Sequence, residues 1–370
     1  MAKPTRATAA ALNDLDRLER LHKLDADDKL REIRVLESKL RLSREEAKGF
    51  RQKYHQASKD MLVTETNIEQ ILANQDNVTV KKLERSRKRK GRGKATAIIC
   101  VNDWHIEERV DPSTIEGVAN EFNPRIADRR INKTWEKALY LIDFARNISN
   151  ITEVILWAGG DLINGYIHEE MEESNYSGPG EAQQQVIGHL ASGLDLLKRE
   201  AKVESLVFLG NYGNHGRTTR KPRAGTGWQN SWEWAAYTSL AGYYNNNGKS
   251  DVQFKIAKGA QLLFPVQGHT VRFQHGDDVK YCGGTAGMHG PLRRRIAALN
   301  KPPSTPAELD ILGHFHQFAD DWNYVVCGCL VGPNAYARSK GFEVQPPTQT
   351  MVVVDYEHGK VMALPIFCDD

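Results

Sequence analysis

The sequence predicts an α/β fold for the larger part of the chain. From Ala95 onward, short apolar runs alternate with stretches of helical composition, a pattern typical of strands connected by helices. The chain has 370 residues, of which 40% are hydrophobic, and its mean hydropathy is -0.55. This length and composition indicate one large globular domain or two smaller ones, and they argue against a disordered protein.

The sequence also argues against a membrane or secreted protein. No apolar run approaches the roughly 18 to 20 residues that a transmembrane helix needs. Residues 1–20 lack the apolar core and the cleavage site of a signal peptide. The five cysteines are an odd number and widely scattered, which favours reduced thiols. We therefore expect a cytoplasmic protein that does not bind membranes.

The charge is distributed unevenly along the chain. Residues 1–94 contain 24 Lys and Arg against 15 Asp and Glu, a net charge of +9, whereas the remainder contains 26 against 32. Within residues 1–80, the stretch from Leu12 to Leu62 has no Pro and one Gly and is rich in helix-forming residues. An imperfect seven-residue repeat begins at Ile33. We expect a helical or coiled-coil-like arm that packs on itself, forms a homodimer or docks another protein.

Residues 81–94 form a basic segment that ends in Gly-x-Gly-Lys. A run of this charge is too polar to bury and suits a flexible linker. The alternative is a contact with the phosphate backbone of a nucleic acid, because clustered Lys and Arg release counterions from it. In either case the α/β domain is expected to span residues 95–370.

Five apolar runs of this domain end in residues that commonly bind metals. The motifs are Asp103-Trp104-His105 after 97–101, Gly159-Gly160-Asp161 after 154–157, Gly213-Asn214-His215 after 206–209, His275-Gly276-Asp277 after 271–274 and Gly313-His314-Phe315-His316 after 311–312. Side chains at the carboxyl ends of strands converge on one edge of a sheet. Asp, Asn and His suit Mn, Fe, Zn or Mg, and a carboxylate can bridge two ions. With no thiol in the set, a dinuclear hydrolytic centre is favoured over a structural zinc site.

The order of these motifs resembles the calcineurin-like metallophosphoesterase superfamily over about residues 95–320. The resemblance implies two packed mixed β-sheets flanked by helices, including C-terminal strands at 324–327, 351–355 and 361–367. It implies two divalent ions, Mn foremost, with Mg, Fe or Zn as alternatives. One ion would be held by Asp103, His105, Asp161 and His316, and the other by Asp161, Asn214, His275 and His314, so that Asp161 bridges them.

The resemblance also implies a mechanism in which a metal-bound hydroxide attacks the phosphate and His215 protonates the leaving group. Two features depart from the family pattern. Gly216 and Arg217 stand where an acid usually follows the Gly-Asn-His motif, so another group must orient His215. In addition, Asn211 could present its amide in place of Asn214, although the His that follows Asn214 favours the latter.

Residues beside the motifs bear on the substrate. Four basic residues follow the expected catalytic histidine, namely Arg217, Arg220, Lys221 and Arg223, and a second cluster occupies 293–295. Aromatic residues interleave with the first cluster and could stack on bases or belong to a helix core over 231–244. Solvated charge explains each cluster alone, whereas together they suit a polyanion beside an acidic body.

The motifs look most like those of SbcD-type DNA repair nucleases and of phosphoesterases encoded by tailed bacteriophages. The resemblance therefore implies a DNA phosphodiesterase, acting in the host cytoplasm if the gene belongs to a phage. Two alternatives remain open. One is the hydrolysis of a nucleotide, cyclic nucleotide or phosphoprotein; the other is a binding or assembly protein with a vestigial esterase domain.

Overall fold

The computed structural model describes residues 28–31, 33–45, 48, 49, 52, 93–246, 251–280, 287–302 and 306–369. Residues 28–31 and 33–45 are helical, as the composition of this part of the sequence predicts. Most of the heptad pattern, the basic segment up to residue 92 and Cys282 lie outside the described residues. The predicted partner or dimer contact through the arm therefore stays a prediction.

Eleven strands and six α-helices make up residues 93–369 where the structure describes them. The strands are β1 (Lys94–Val101), β2 (Asn150–Ala158), β3 (Ser205–Gly210), β4 (Val252–Ile256), β5 (Gln261–Val266), β6 (His269–Gln274), β7 (Leu309–Leu312), β8 (Ala319–Asp321), β9 (Tyr324–Val326), β10 (Thr348–Asp355) and β11 (Gly359–Phe367). The helices are α1 (Pro124–Ala145), α2 (Glu169–Ser174), α3 (Pro179–Glu200), α4 (Trp232–Asn246), α5 (His289–Leu299) and α6 (Ala335–Lys340). None of these helices combines the length and apolar character that a membrane crossing needs.

The strands form two mixed sheets. The first has the order β11-β10-β1-β2-β3-β4, in which β1 to β4 run parallel and β10 and β11 are antiparallel to their neighbours. The second has the order β5-β6-β7-β9-β8, with β6, β7 and β9 parallel. The predicted α/β fold with two packed mixed sheets is confirmed, including the three C-terminal strands.

The alternation of side chains along the strands separates the core into layers. Ile98 and Cys100 face the second sheet, where they pack with side chains such as Phe273 and Ile311. Their neighbours on β1 point the other way and pack against α1, α3 and α4. A smaller apolar cluster packs α5 on the outer face of the second sheet. Both sheets are thus buried on their inner faces and partly covered by helices outside, which fixes the strand ends that carry the motifs.

Helix α4 begins where the sequence predicts it. Ser231 Oγ accepts a hydrogen bond from the Trp234 amide at 3.2 Å, as an N-cap does. Tyr237 is fully buried and packs on Phe208. The ring of Trp234 lies 4.7 Å from that of Trp228. Tyr237 and Tyr244 of this helix therefore belong to the core, Trp232 packs partly against it, and Tyr243 is 49% exposed.

Candidate metal centre

The turns that follow the strands hold the motif residues in an unusual backbone conformation. Five of them have positive φ angles: Asp103 at 49°, His105 at 44°, Asp161 at 50°, His314 at 71° and His316 at 56°. Non-glycine residues rarely adopt this left-handed region, and such outliers concentrate at functional sites. The turns are tied together by backbone hydrogen bonds, for example from the Asp103 amide to the Gly160 carbonyl at 2.9 Å.

The motif side chains gather in two groups of potential metal ligands. Asp103, His105 and His316 form the first group, and Asp161, His275 and His314 form the second; within each group the ligand atoms lie within 4.8 Å of one another. In the first group the Nε2 atoms of the two histidines are 3.1 Å apart. In the second, His275 Nε2 is 2.8 Å from Asp161 Oδ2. The six residues come from four turns, which follow β1 and β2 of the first sheet and β6 and β7 of the second.

Three buried atoms in and beside these groups are without a hydrogen-bond partner among the residues that the structure describes. They are Asp103 Oδ1, Asn214 Oδ1 and His275 Nε2. His275 Nε2 does contact Asp161 Oδ2 at 2.8 Å, as an ion pair when the imidazole is protonated. Leaving such atoms unsatisfied costs about 1–3 kcal/mol each. Cations between the two groups would satisfy all three, and an oxygen and imidazole donor set fits divalent ions such as Mn.

The structure separates the two asparagines that the sequence left as alternatives. Asn211 Oδ1 accepts a hydrogen bond from Trp157 Nε1 at 3.0 Å, and its Nδ2 donates to the Ala260 carbonyl at 3.3 Å. The side chain of Asn211 is therefore used inside the fold, whereas Asn214 Oδ1 is free to bind a cation. This favours the assignment of Asn214, which stays a prediction, as does the bridging role of Asp161.

Asn164 orients two histidines of the site. Its Oδ1 lies 2.9 Å from His105 Nδ1, and its backbone oxygen lies 2.9 Å from His215 Nδ1. Because oxygen accepts, both histidines carry a proton on Nδ1 and leave Nε2 facing the site. The Gly159 carbonyl, 2.9 Å from His275 Nδ1, acts on that histidine in the same way. The group that orients His215 is therefore a backbone carbonyl, in place of the missing acid.

Two buried carboxylates support the turns. Glu233 accepts hydrogen bonds from the amides of Leu162 at 2.6 Å and Gly213 at 2.7 Å. Glu107, which is 1% exposed, accepts from the amides of Asn164 at 2.9 Å and Gly165 at 2.8 Å. Each carboxylate thus fixes the backbone next to a motif residue. The sequence motifs do not identify Glu233 or Asn164 as parts of the site.

Burial governs the electrostatics of the site. It raises the pKa of Asp103 to about 7 and, together with repulsion from Asp161, the pKa of Glu233 to about 8. It lowers the pKa of His314 and of His316 to about 3. Asp161, by contrast, raises the pKa of His275 despite burial. A divalent cation bound here would displace protons from His275 and from the carboxyl groups, so metal binding is coupled to their deprotonation.

The four basic residues after His215 are divided between two environments. Arg217 and Arg220 line a groove of about 910 Å³ beside the site, whereas Lys221 and Arg223 are exposed and do not line it. The cluster at 293–295 is partly neutralised, because Arg293 pairs with Asp321 at 2.6 Å and Arg295 pairs with Asp278. The structure thus places two of the four expected substrate-binding residues next to the site.

No family model matches the chain, and no curated protein matches it. Solved structures with some similarity include a zinc complex of Vps29 from Entamoeba histolytica, with 9% identity and a TM-score of 0.29 over 73% of this chain and 99% of that one. Vps29 from Chaetomium thermophilum has 11% identity and a TM-score of 0.26 over 73% and 94% of the two chains. The phosphopantetheinyl hydrolase of Mycobacterium tuberculosis has 13% identity and a TM-score of 0.24 over 67% and 94%.

At such low identities and TM-scores, these similarities assign no activity to the chain. The architecture, however, is observed directly in the structure. Two packed mixed sheets flanked by helices, with the ordered motifs on their strand ends, are the fold that the resemblance to calcineurin-like metallophosphoesterases implies.

Proposed function

We propose that this protein is a metal-dependent phosphoesterase of the calcineurin-like type that hydrolyses phosphodiester bonds in DNA. The observation that carries the proposal is the pair of adjacent ligand groups, in and beside which three buried potential metal-ligand atoms have no hydrogen-bond partner among the described residues. Asp103, His105 and His316 would hold one divalent ion, and Asp161 with His275, His314 and Asn214 the other. When bound, the two ions would neutralise phosphate oxygens and lower the pKa of a water molecule.

We assign the role of general acid to His215. Its ring centroid lies 4.6 Å from that of His105, and its Nδ1 is held by the Asn164 carbonyl. The proton for the leaving oxygen would therefore be carried on Nε2, which faces the site. Burial lowers the pKa of His215, while the carboxylate of Asp161 raises it. A phosphate anion in the site would favour the protonated form further.

DNA is the preferred substrate because basic residues adjoin the site. Arg217 donates from Nη1 to the Asn214 carbonyl at 2.7 Å, so its guanidinium is fixed beside a proposed metal ligand. Arg220 lines the same groove. Phosphates on either side of the scissile bond would be attracted to these charges. A nucleotide substrate is the second candidate, since Glu169 and Glu172 also line the groove and would repel a long polyanion.

The proposal is tested by assaying bis(p-nitrophenyl) phosphate and single- and double-stranded DNA with and without Mn. Asp161→Ala and His215→Ala are compared with Asp143→Ala and His358→Ala, two changes in exposed surface ion pairs. We expect Mn-dependent cleavage of DNA that Asp161→Ala abolishes, that His215→Ala slows by about 10²–10⁴-fold, and that both controls retain. Hydrolysis of the small diester alone would favour the nucleotide or phosphoprotein alternative. If the protein neither binds Mn nor hydrolyses the diester, the phosphoesterase proposal is wrong and a binding or assembly role is favoured.

A further inference from the structure

The groove beside the metal centre is lined by positive, negative and aromatic side chains, which limits the kinds of ligand that it can bind. The residues that line the groove come mainly from two chain segments, here called its walls: one contains Arg217 and Arg220 and the other contains Glu169 and Glu172, while Trp232 contributes apolar surface. Tyr166, with 43% of its surface exposed, lines it as well. A volume of about 910 Å³ is in the range of sites for small organic ligands.

The groove is continuous with the catalytic groups. One wall begins at Tyr166, directly after Gly165, whose Cα packs so closely on the His215 carbonyl that a Cβ would collide with it. The other wall begins at Arg217, two residues after His215 and hydrogen-bonded to the Asn214 carbonyl. A ligand in the groove therefore lies on the His215 side of the ligand groups, where the leaving group of the proposed reaction would be.

The lining of the groove contains two arginines and two glutamates, together with His168, so positive and negative side chains are both present. A run of several phosphates through the groove would meet the glutamates and be repelled. A single nucleotide suits both walls, because arginine binds phosphate oxygens and a carboxylate accepts hydrogen bonds from base amino groups such as cytosine N4. Tyr166 and Trp232 supply aromatic surface against which a base could stack.

We propose that this groove binds one nucleotide unit on the leaving-group side of the scissile phosphodiester. The assignment of the groove to the leaving-group side rests on the proposed function, whereas the binding of a nucleotide does not. Arg217 and Arg220 contact the phosphate of this unit, and Glu169 and Glu172 accept hydrogen bonds from its base or sugar. The preference is for short or unpaired ends, since a paired base has its amino group engaged with its partner strand.

The test measures binding apart from catalysis. The full-length chain is dialysed against a chelator at pH 6.5 and titrated by calorimetry with deoxycytidine 5′-monophosphate and with inorganic phosphate. We expect the nucleotide to bind at least tenfold more tightly than phosphate. Arg220→Ala is expected to weaken the binding of both ligands about tenfold, whereas Glu172→Gln is expected to weaken only that of the nucleotide.

Matched controls come from the same elements. Arg223→Ala lies in the same loop outside the groove lining, and Glu173→Gln lies on the same helix as Glu172 with an exposed side chain. Both should bind the nucleotide as the unchanged protein does. Equal affinities for the two ligands, or equal effects of Glu172→Gln and Glu173→Gln, would overturn the proposal.

A second measurement separates this proposal from the proposed function. In the Mn-loaded protein, deoxycytidine 5′-monophosphate should inhibit hydrolysis of bis(p-nitrophenyl) phosphate, and Glu172→Gln should raise its inhibition constant about tenfold. If the chelated protein binds the nucleotide through these residues but the Mn-loaded protein hydrolyses no diester, the groove proposal holds and the phosphoesterase proposal fails. If the diester is hydrolysed and the nucleotide neither binds nor inhibits, the groove proposal fails alone.

Discussion

The Nε2 atoms of His105 and His316 lie 3.1 Å apart within the first ligand group. Burial lowers the pKa of both imidazoles, that of His316 to about 3, and neighbouring histidines lower them further. Both rings are therefore neutral near pH 7 and present nitrogen lone pairs to one point. Asp103, whose Oδ1 is 3.6 Å from His316 Nε2, adds a carboxylate to the same point. Two nitrogen lone pairs and a carboxylate repel one another at this point, and a bound cation would remove that repulsion.

The metal-free protein should lose stability between pH 6.5 and 8. Burial raises the pKa of Asp103 and Glu107 to about 7 and that of Glu233 to about 8. In this interval the folded state therefore holds protons that the unfolded carboxylates have already lost, so unfolding becomes easier as the pH rises. His275 acts in the same direction, because Asp161 raises its pKa despite burial. The histidines with lowered pKa oppose this trend near pH 6.5, where an unfolded imidazole with a pKa of about 6.5 is still partly protonated, and they add almost nothing at pH 8, where both states are neutral.

Thermal melting with chelator and with Mn checks this prediction. We expect the melting temperature of the chelated protein to fall from pH 6.5 to 8, and Mn to raise it most at pH 8, since the cation stabilises the ionised carboxylates. A melting temperature that is flat or rising over this interval without metal would contradict the assigned pKa shifts.

The sequence predicts those parts of the site that consist of residues close to one another in the chain. Apolar runs followed by Gly, Asp, Asn and His identify five strand ends, and the structure confirms the strands. The edge strand β4 is harder to predict from the sequence, because it alternates buried and exposed positions and has no continuous apolar run. The sequence indicates a role for Asn164 only weakly, through its position as a polar residue three places after Asp161.

Other features depend on contacts between distant parts of the chain. Glu233 is one of several polar residues that could begin a helix, and its role arises because loops 71 and 20 residues away approach it. The arginine cluster at 293–295 looked available for a polyanion. Arg293, however, meets Asp321, which is 28 residues further along the chain and cannot be paired with it from sequence alone.

Asn164→Ala should weaken metal binding. The change removes the acceptor that holds His105 Nδ1 and leaves Nε2 poorly oriented, while the backbone contact with His215 is retained. Loss of such an orienting partner typically costs 10–100-fold in metal affinity or activity. Calorimetric titration with Mn measures the change. Asn147→Ala is the control, because this exposed amide bonds only the Phe144 carbonyl; an equal affinity in the two variants would argue against the orienting role.

His215→Ala should impair hydrolysis in a way that depends on the leaving group. An alkoxide needs a proton as the bond breaks, and loss of a general acid costs about 10²–10⁴-fold in rate. A p-nitrophenolate leaves as a stabilised anion and needs the proton much less. The ratio of kcat for a dinucleotide to kcat for bis(p-nitrophenyl) phosphate should therefore fall at least tenfold in the variant. An equal loss on both substrates would assign His215 to substrate binding instead of proton transfer.

Gly213→Ala should abolish metal binding without a large change elsewhere in the fold. The Cα of Gly213 packs against the carboxylate of Asp161, so an added Cβ would collide with Oδ1 and with the Asp161 amide. The Gly213 amide also donates to Glu233. Displacing this turn moves Asn214 and Asp161 apart, and activity in the presence of Mn should fall by at least 100-fold, as is typical when ligand geometry shifts by about 1 Å. Gly225→Ala is the matched control, because its Cβ would meet no atom within 4 Å. Metal titration and far-UV circular dichroism are measured for both; Mn affinity that is retained in Gly213→Ala would show that Asp161 and Asn214 do not share the ion.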